Sequence, residues 1–173
     1  MSDRAAFEAM FRAHVAAVHA YALRRSDAAT ADEVVADTFL VCWRRFDRVP
    51  DDDALPWLYA VARRCLANRL RAGRRERART VPAVPTPADP TADAYEQRAR
   101  TREVLAALAD LPPKDREALQ LCAWEGLSPT AAARVVGCSA AAFRVRLHRA
   151  RHRIAAALDV VPLSVPDREE EVA

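Results

Sequence analysis

Residues 126–153 read GLSPTAAARVVGCSAAAFRVRLHRARHR, and they are the most informative segment of the chain. Gly137 favours the left-handed backbone that ends a helix, and Ser139 is suited to cap the helix that follows. The segment after Ser139 carries five arginines and no acidic residue. A helix, a short turn and a second helix rich in arginine are typical of a helix-turn-helix, whose second helix enters the DNA major groove.

The composition predicts a folded, all-α protein. The chain has 173 residues, of which 51% are hydrophobic and 29% are charged. That length fits one domain or two small ones, and that apolar content is enough for a packed core. Alanine is abundant and the β-branched residues are mostly Val and Thr, a balance that favours helices over strands.

Glycine is too scarce for a nucleotide-binding loop, because the chain has only Gly73, Gly126 and Gly137. We expect each of them to end an element. No nucleophile, base and acid are arranged for catalysis, so we expect no enzyme, no cofactor and no small-molecule substrate. His148 and His152 have a spacing that can bind a metal, but no third ligand accompanies them, so we expect no metal site.

Charge is segregated along the chain, although the net charge is only +3. Residues 63–79 hold eight arginines and one acid, whereas residues 27–53 hold eight acids. The basic segment and the helix-turn-helix therefore predict two separate contacts with nucleic acid. The acidic segment is better suited to a protein partner or to solvent.

The four cysteines and the hydropathy predict the compartment. Cys42, Cys65, Cys122 and Cys138 form no C-x-x-C pair, and their mostly apolar neighbours predict buried free thiols. No signal peptide and no apolar run long enough to span a membrane is present in the sequence. We expect a cytoplasmic protein that does not insert into a membrane.

Hydrophobic spacing predicts two helical blocks separated by a proline-rich segment. Phe7, Phe11, Val15 and Val18 fall on one face of a first helix. A second helix begins near residues 27–32, and a third has Pro56 in its first turn and ends at about Arg71. The predicted parts are a domain at 5–79, a linker at 80–94, a helix-turn-helix domain at 95–157 and a tail at 158–173.

Three separated motifs resemble parts of one known family. Residues 31–43 (ADEVVADTFLVCW) and 56–71 (PWLYAVARRCLANRLR) resemble region 2 of bacterial sigma factors, and residues 111–153 resemble region 4. Two blocks with a short linker are similar to the extracytoplasmic-function (ECF) subfamily of the sigma-70 family. The resemblance covers roughly residues 5–157, with the motifs in the family's order.

The resemblance implies a factor that binds core RNA polymerase and directs it to promoters. It places the contacts with core polymerase at Val35, Asp37, Thr38, Val41 and Trp43. It places the opening of the minus-ten element at Asp51, Asp52, Trp57, Arg63, Arg64, Asn68, Arg71, Arg74 and Arg75. It places the reading of the minus-thirty-five element at Ser139, Ala140, Ala141, Ala142, Arg144, Val145, Arg146, His148, Arg149 and Arg151. It further implies promoter DNA and a cognate anti-sigma factor as partners.

The chain departs from the family pattern at several of these positions. Ala36 stands where the family often has Gln, Arg64 where it often has Asn, and Asn68 where it often has Asp. In the second helix of the helix-turn-helix, Ala142 and Val145 replace the usual Thr and Ser. The lost hydroxyls remove hydrogen bonds to bases or phosphates.

Two other functions compete with this interpretation. An ordinary helix-turn-helix transcriptional regulator explains residues 126–153 but not residues 31–43 and 56–79, and it predicts tight DNA binding without polymerase. A protein–protein adaptor with basic faces predicts no promoter-dependent activity.

Overall fold

The computed structural model describes residues 3–50, 53–77 and 102–159, and these residues form helices and no strand. The all-α prediction is confirmed. No helix in these ranges combines the length and the apolar character needed to cross a lipid bilayer. The elements are α1 (Asp3–Leu23), α2 (Ala28–Arg44), a 3-10 turn (Phe46–Arg48), α3 (Ala54–Arg77), α4 (102–110), α5 (Pro113–Ala123), α6 (Pro129–Val136) and α7 (Ala140–Ala157).

The helices form two compact units. Helices α1, α2 and α3 pack on one another in the first, and α4, α5, α7 and most of α6 belong to the second. The predicted linker 80–94, the start of the second predicted domain and the tail beyond Asp159 lie outside the described residues. The predicted domain boundaries therefore stay a prediction.

The core of the first unit is built from apolar stripes of three helices. Val18 and Tyr21 of α1, Val34 of α2, and Leu58 and Tyr59 of α3 are almost fully buried. The Tyr21 and Tyr59 rings lie 5.1 Å apart, and the Arg25 guanidinium lies 3.8 Å from the centre of the Tyr21 ring. Burial of large aromatic side chains dominates the stability of such small cores.

The start of α2 follows from its cap. The side chain of Asp27 accepts a hydrogen bond from the Thr30 backbone N–H at 2.9 Å, which satisfies a donor that the helix leaves unpaired. This agrees with the predicted start near residues 27–32. The end of the third helix differs more from its prediction, because α3 runs to Arg77 and the predicted end was about Arg71.

Gly73 lies inside α3, so the expectation that it ends an element was wrong. One interior glycine costs a helix roughly 1 kcal/mol, a cost that this 24-residue helix tolerates. The other two glycines behave as expected, with φ of 66° at Gly126 and 76° at Gly137.

The core of the second unit joins α5 to α7. Leu121 of α5 and Phe143, Leu147 and Ala150 of α7 are buried, and α5 packs against α7. Phe143, Leu147 and Ala150 recur at spacings of four and three residues, which is one face of a helix. This packing fixes which side of α7 faces outward.

The turn between α6 and α7 is set by three consecutive residues. Gly137 takes positive φ, and the N–H of Cys138 donates to the Ala133 carbonyl at 3.0 Å, the bond that closes a Schellman helix end. The Ser139 hydroxyl then accepts from the Ala142 N–H at 3.2 Å and caps α7. Both local predictions for this turn, the glycine helix end and the serine cap, agree with the structure.

Candidate nucleic-acid and protein interfaces

The outer face of α7 is defined here by Ala141, Val145, His148 and His152. These residues follow one another at spacings of four, three and four, so they lie along one line of the helix, opposite Phe143 and its buried neighbours. All four are exposed, and Val145 is 61% exposed. The sequence-predicted set for upstream DNA supplies the first three of these residues.

The arginines of α7 flank this face. Arg144 and Arg146 are two positions apart, so they point about 200° apart around the helix and lie on opposite sides of the outer face. Arg144 and Arg149 are exposed, whereas Arg146 and Arg151 are half-buried. Arg144 also lies 3.5 Å from the Thr130 hydroxyl of α6. The remaining predicted residues are Ser139, which caps the helix, half-buried Ala140 and exposed Ala142.

Arg153 has a structural role that the sequence did not reveal. Its guanidinium forms an ion pair with Asp115, whose side chain is only 5% exposed at the start of α5. A buried carboxylate needs such a partner, because an unpaired buried charge is costly. Arg153 therefore joins α5 to α7 and is not simply a member of a phosphate-binding row.

The two histidines of α7 lie side by side. Their Nε2 atoms are 3.1 Å apart and their ring centroids 4.3 Å apart. Within the described ranges, no group of three or more His, Cys, Asp and Glu side chains is placed to hold a metal ion.

The basic face of α3 is defined here by Trp57, Arg64, Asn68 and Arg71. Spacings of seven, four and three residues put them on one side of α3, opposite the buried Leu66. Arg71 donates from Nη2 to the Asn68 side chain at 2.6 Å and from Nε to the Ala67 carbonyl at 3.1 Å. These bonds hold the cation along the helix surface.

The structure thus brings four of the predicted minus-ten residues together. Arg63 is half-buried beside this face. Arg74 and Arg75 continue along α3, but their side chains lie outside the described part of the chain, as do Asp51 and Asp52.

Arg69 points the other way, toward α2. Its Nε and Nη2 donate to Asp37 at 2.9 and 2.7 Å, and its Nη1 donates to Glu33. The hydrogen bond to Asp37 is the main cause that raises the pKa of Arg69. The sequence did not single out this residue, because an arginine among eight looks like part of a solvated basic row until its partners on another helix are known.

The outer face of α2 is defined here by Ala36, Leu40 and Trp43. They recur at spacings of four and three residues, and Leu40 and Trp43 are 46% and 47% exposed. Of the five residues predicted to contact polymerase, only Trp43 lies on this face. Val35, Asp37 and Val41 are half-buried, and Thr38 is buried with its hydroxyl donating to the Val34 carbonyl at 2.6 Å.

The Trp43 ring packs against an aromatic cluster of α1 and α2. Phe7 of α1 packs edge-on against Trp43, with centroids 5.0 Å apart, and it also contacts Phe39 and Phe46. Phe11 packs edge-on against Phe39, with ring centroids 4.7 Å apart, and is itself 37% exposed. The outer face of α2 therefore continues into an exposed aromatic edge on α1. Leu40 is not among the residues that the sequence predicted to contact polymerase, although it lies three residues before Trp43 on the same face.

Two cysteines lie near this region. Cys42 is fully buried, and burial raises the pKa of its thiol to about 11. Burial, and then the charge of Asp37, raise the pKa of Cys65. The expectation of four buried thiols holds fully only for Cys42, because Cys65, Cys122 and Cys138 are partly exposed free thiols.

Both units match models of known protein regions. Residues 10–76 match the model described as sigma-70 region 2, and residues 101–154 match the model described as sigma-70, region 4. The basic face of α3 and the outer face of α2 lie in the first match, and the helix-turn-helix lies in the second. The two units are therefore those of a sigma-70 factor.

Characterised relatives give the family. The chain is 34% identical over 158 residues to the ECF RNA polymerase sigma factor SigC of Mycobacterium tuberculosis, covering 87% of this chain and 82% of the relative. It is 30% identical over 170 residues to the RNA polymerase sigma factor CarQ of Myxococcus xanthus, covering 92% and 93%. The chain belongs to the ECF RNA polymerase sigma factors, as the sequence motifs predicted.

Two solved structures are similar to this chain over most of its length. The sigma factor RpoE of Bartonella quintana, in complex with the anti-sigma factor NepR, matches with a TM-score of 0.66 at 25% identity, covering 89% of this chain and 97% of that one. CnrH, in complex with the cytosolic domain of CnrY, matches with a TM-score of 0.60 at 26% identity, covering 90% and 89%.

Proposed function

We propose that this chain binds core RNA polymerase through its first unit and directs it to promoters with one basic helix from each unit. The observation that carries the proposal is that α3 and α7 each present exposed arginines, whereas α2 presents an exposed apolar face. Three surfaces of different chemistry suit three different contacts: single-stranded DNA, duplex DNA and protein.

The outer face of α2 is proposed as the contact with core polymerase. Leu40 and Trp43 are large apolar residues that remain exposed although they flank a packed core, and burying them against a partner is favourable. Asp37 takes part indirectly here, since Arg69 already occupies its carboxylate. The buried Thr38 and the half-buried Val35 and Val41 position the helix.

The basic face of α3 is proposed to hold the melted strand of the minus-ten element. Arg64 and Arg71 are cations for the phosphate backbone, and Trp57 offers a ring on which an unpaired base can stack. Asn68 can donate and accept hydrogen bonds to an exposed base edge. Arg63, Arg74, Arg75 and the acidic loop with Asp51 and Asp52 complete this proposed surface.

The helix α7 is proposed to enter the major groove of the minus-thirty-five element. Arg144, Arg146, Arg149 and Arg151 contact phosphates or guanine edges along both sides of the helix. Residues 139–142, at the capped start of α7, approach the bases first, as in other helix-turn-helix proteins.

The remaining roles follow from the family. We propose that the chain acts in the cytoplasm and that catalysis belongs to the polymerase. We also propose a cognate anti-sigma partner. This is supported by the two similar solved structures, which are complexes of the sigma factor RpoE with an anti-sigma factor and of CnrH with the cytosolic domain of CnrY.

Run-off transcription with purified core polymerase and genomic DNA fragments tests the proposal. We expect promoter-specific transcripts only when the folded chain is added. Tight, sequence-specific DNA binding by the chain alone, without polymerase-dependent transcripts, would instead identify an ordinary helix-turn-helix regulator. If the chain bound neither DNA nor polymerase, the protein–protein adaptor would be the remaining alternative.

Replacement of Arg144 and Arg146 by Ala tests the assignment of α7. We expect weaker dependence of transcription on the upstream element, because both flanks of the outer face lose a cation, while affinity for core polymerase is unchanged. The matched control replaces Arg4 and Arg12, two exposed arginines of α1 that pair with Glu8. An equal loss of polymerase binding in the Arg144 and Arg146 variant would contradict the assignment.

A further inference from the structure

The most exposed large apolar side chain in the described part of the chain lies on α7, a helix with five arginines. Val145 is 61% exposed, more than Leu105 at 49% or Trp43 at 47%. It lies at the middle of the outer face of α7, with Arg144 and Arg149 beside it. Packing gives no reason for this placement, because Phe143 and Leu147 bury the opposite side of the helix.

The start of the outer face carries no side chain that forms hydrogen bonds. Ala140, Ala141 and Ala142 present only methyl groups, and the Ser139 hydroxyl is already engaged in capping the helix. Within residues 140–145 the outer face is therefore lined by the methyl groups of Ala141 and Val145, and the exposed side chain of this stretch that can donate to a base, Arg144, lies at its flank. The outer face itself offers no donor or acceptor there.

Only one base feature in the major groove is apolar. Thymine carries a 5-methyl group there, and apolar side chains contact it, whereas the other bases present donors and acceptors. Ala141 and Val145 are four residues apart, roughly 6 Å along the helix axis, which is about two base-pair steps. Two thymine methyls that lie two base-pair steps apart thus match the spacing of the two side chains.

We propose that the outer face of α7 recognises thymine 5-methyl groups in the upstream promoter element, with Val145 as the main specificity-determining residue and Ala141 beside it. This inference rests on the proposed function, since it assumes that α7 lies in the major groove. The flanking arginines supply affinity for phosphates, and the methyl contacts supply discrimination at the A·T pairs.

Deoxyuridine substitution tests this directly, because it removes the 5-methyl group and leaves base pairing intact. The holoenzyme of core polymerase and the full chain is bound, in a filter-binding assay, to a promoter selected by run-off transcription. Each thymine of the upstream element is replaced by deoxyuridine in turn. We expect about fourfold weaker binding at one or two positions, the change that corresponds to about 0.8 kcal/mol for one buried methylene-sized group.

Variants of Val145 assign the effect to this side chain. In Val145→Ser the deoxyuridine effect disappears at the position that Val145 contacts, because its methyl groups are gone, and it stays at a position contacted by Ala141. Val145→Thr keeps one methyl and keeps the sensitivity. The matched control is Val104→Ser, the same change at an exposed valine of α4, which leaves the sensitivity intact. Circular dichroism checks that each variant is folded.

The outcomes separate this inference from the function on which it rests. Transcription that depends on the upstream element but is insensitive to deoxyuridine at every position overturns the methyl reading and leaves the proposed function standing. An upstream element without thymine overturns it as well. If Val145→Ser loses affinity for core polymerase and binds thymine and deoxyuridine promoters equally weakly, the outer face of α7 is a protein contact. That result also overturns the methyl reading. The absence of any promoter-specific transcript overturns both proposals.

Discussion

Gly137 and Ser139 fix the geometry of the helix-turn-helix at the scale of single residues. Gly137 takes φ of 76°, a region that costs other residues roughly 1–2 kcal/mol, and Ser139 supplies the oxygen that caps α7. Both are local effects of the chain on itself. This is why the sequence alone predicted this turn correctly.

Replacing Gly137 by Ala isolates the backbone requirement. A Cβ at this position would meet no atom within 4 Å, so the whole cost is conformational. We expect a loss of about 1 kcal/mol in the stability of the second unit, and a smaller loss for Gly137→Asn, because Asn tolerates left-handed backbone better. Hydrogen exchange of the α6 and α7 amides measures this. Equal losses for Ala and Asn would contradict the explanation.

The thiol of Cys42 should be the least reactive of the four. Burial raises its pKa to about 11 from an ordinary value of 9.0, so at pH 8 the reactive thiolate is about a hundredfold less populated. We expect iodoacetamide to leave Cys42 unmodified in the native chain, with modification increasing toward pH 11. Mass spectrometry of tryptic peptides reads this out, and the urea-unfolded chain is the control. Rapid native labelling of Cys42 at pH 8 would argue against its burial.

At the scale of whole elements, side chains that join two helices explain what local patterns do not. Arg69 bonds α3 to Asp37 and Glu33 of α2, and Arg153 bonds α7 to the buried Asp115 of α5. In the sequence both arginines belong to basic rows that predict DNA contacts. Only the packing of the neighbouring helices shows that these two side chains point toward another helix.

A double-mutant cycle on Asp115 and Arg153 tests the link between α5 and α7. We expect Asp115→Ala to lower the free energy of unfolding of the second unit by about 1.5–3 kcal/mol, as for hydrogen bonds to charged groups. Arg153→Ala should cost at least as much, because it leaves the Asp115 carboxylate, which is only 5% exposed, without its partner, and the two losses should not add. Arg149→Ala, an exposed arginine of the same helix, is the control and should change stability by less than about 0.5 kcal/mol. Additive losses would contradict a direct pair.

The difference between local signals and contacts between helices explains how far the sequence could predict the fold and the candidate site. Helix starts with a local cap, at Asp27 and Ser139, were predictable because the signal lies within four residues. The end of α3 was not, because the helix continues through Gly73. Which side of α2 is exposed was not predictable either, because α1 and α3 together decide which side is covered, and the polymerase contacts predicted at Val35, Thr38 and Val41 stay a prediction. Leu40 could have been found from its spacing with Trp43.

For the whole molecule, the proposed function requires two weak contacts on separate units to act together. The sequence between them holds the proline-rich residues 80–94. In a tethered pair the second contact forms at an effective concentration set by the tether, which falls roughly as the −3/2 power of its length. Neither unit then needs high affinity of its own.

Lengthening the predicted linker tests this tether. Inserting enough Gly and Ser residues to double residues 80–94 should weaken promoter binding by the holoenzyme about threefold. Filter binding of promoter DNA measures the effect, and the same insertion after Ala173 is the control. No change, or complete loss of binding, would each contradict a flexible tether between two cooperating contacts.

The exposed position of Trp43 also gives the molecule a built-in optical reporter. The chain has three tryptophans, and they are spread over its surfaces: Trp43 on the outer face of α2, Trp57 on the basic face of α3, and Trp124 just after α5. Trp43 and Trp124 are 47% and 37% exposed, and Trp57 is half-buried. In chains that keep one indole and carry Phe at the other two positions, intrinsic emission and its quenching by acrylamide would follow each surface separately. The order in which polymerase, melted strand and duplex are engaged could then be timed without attaching a dye.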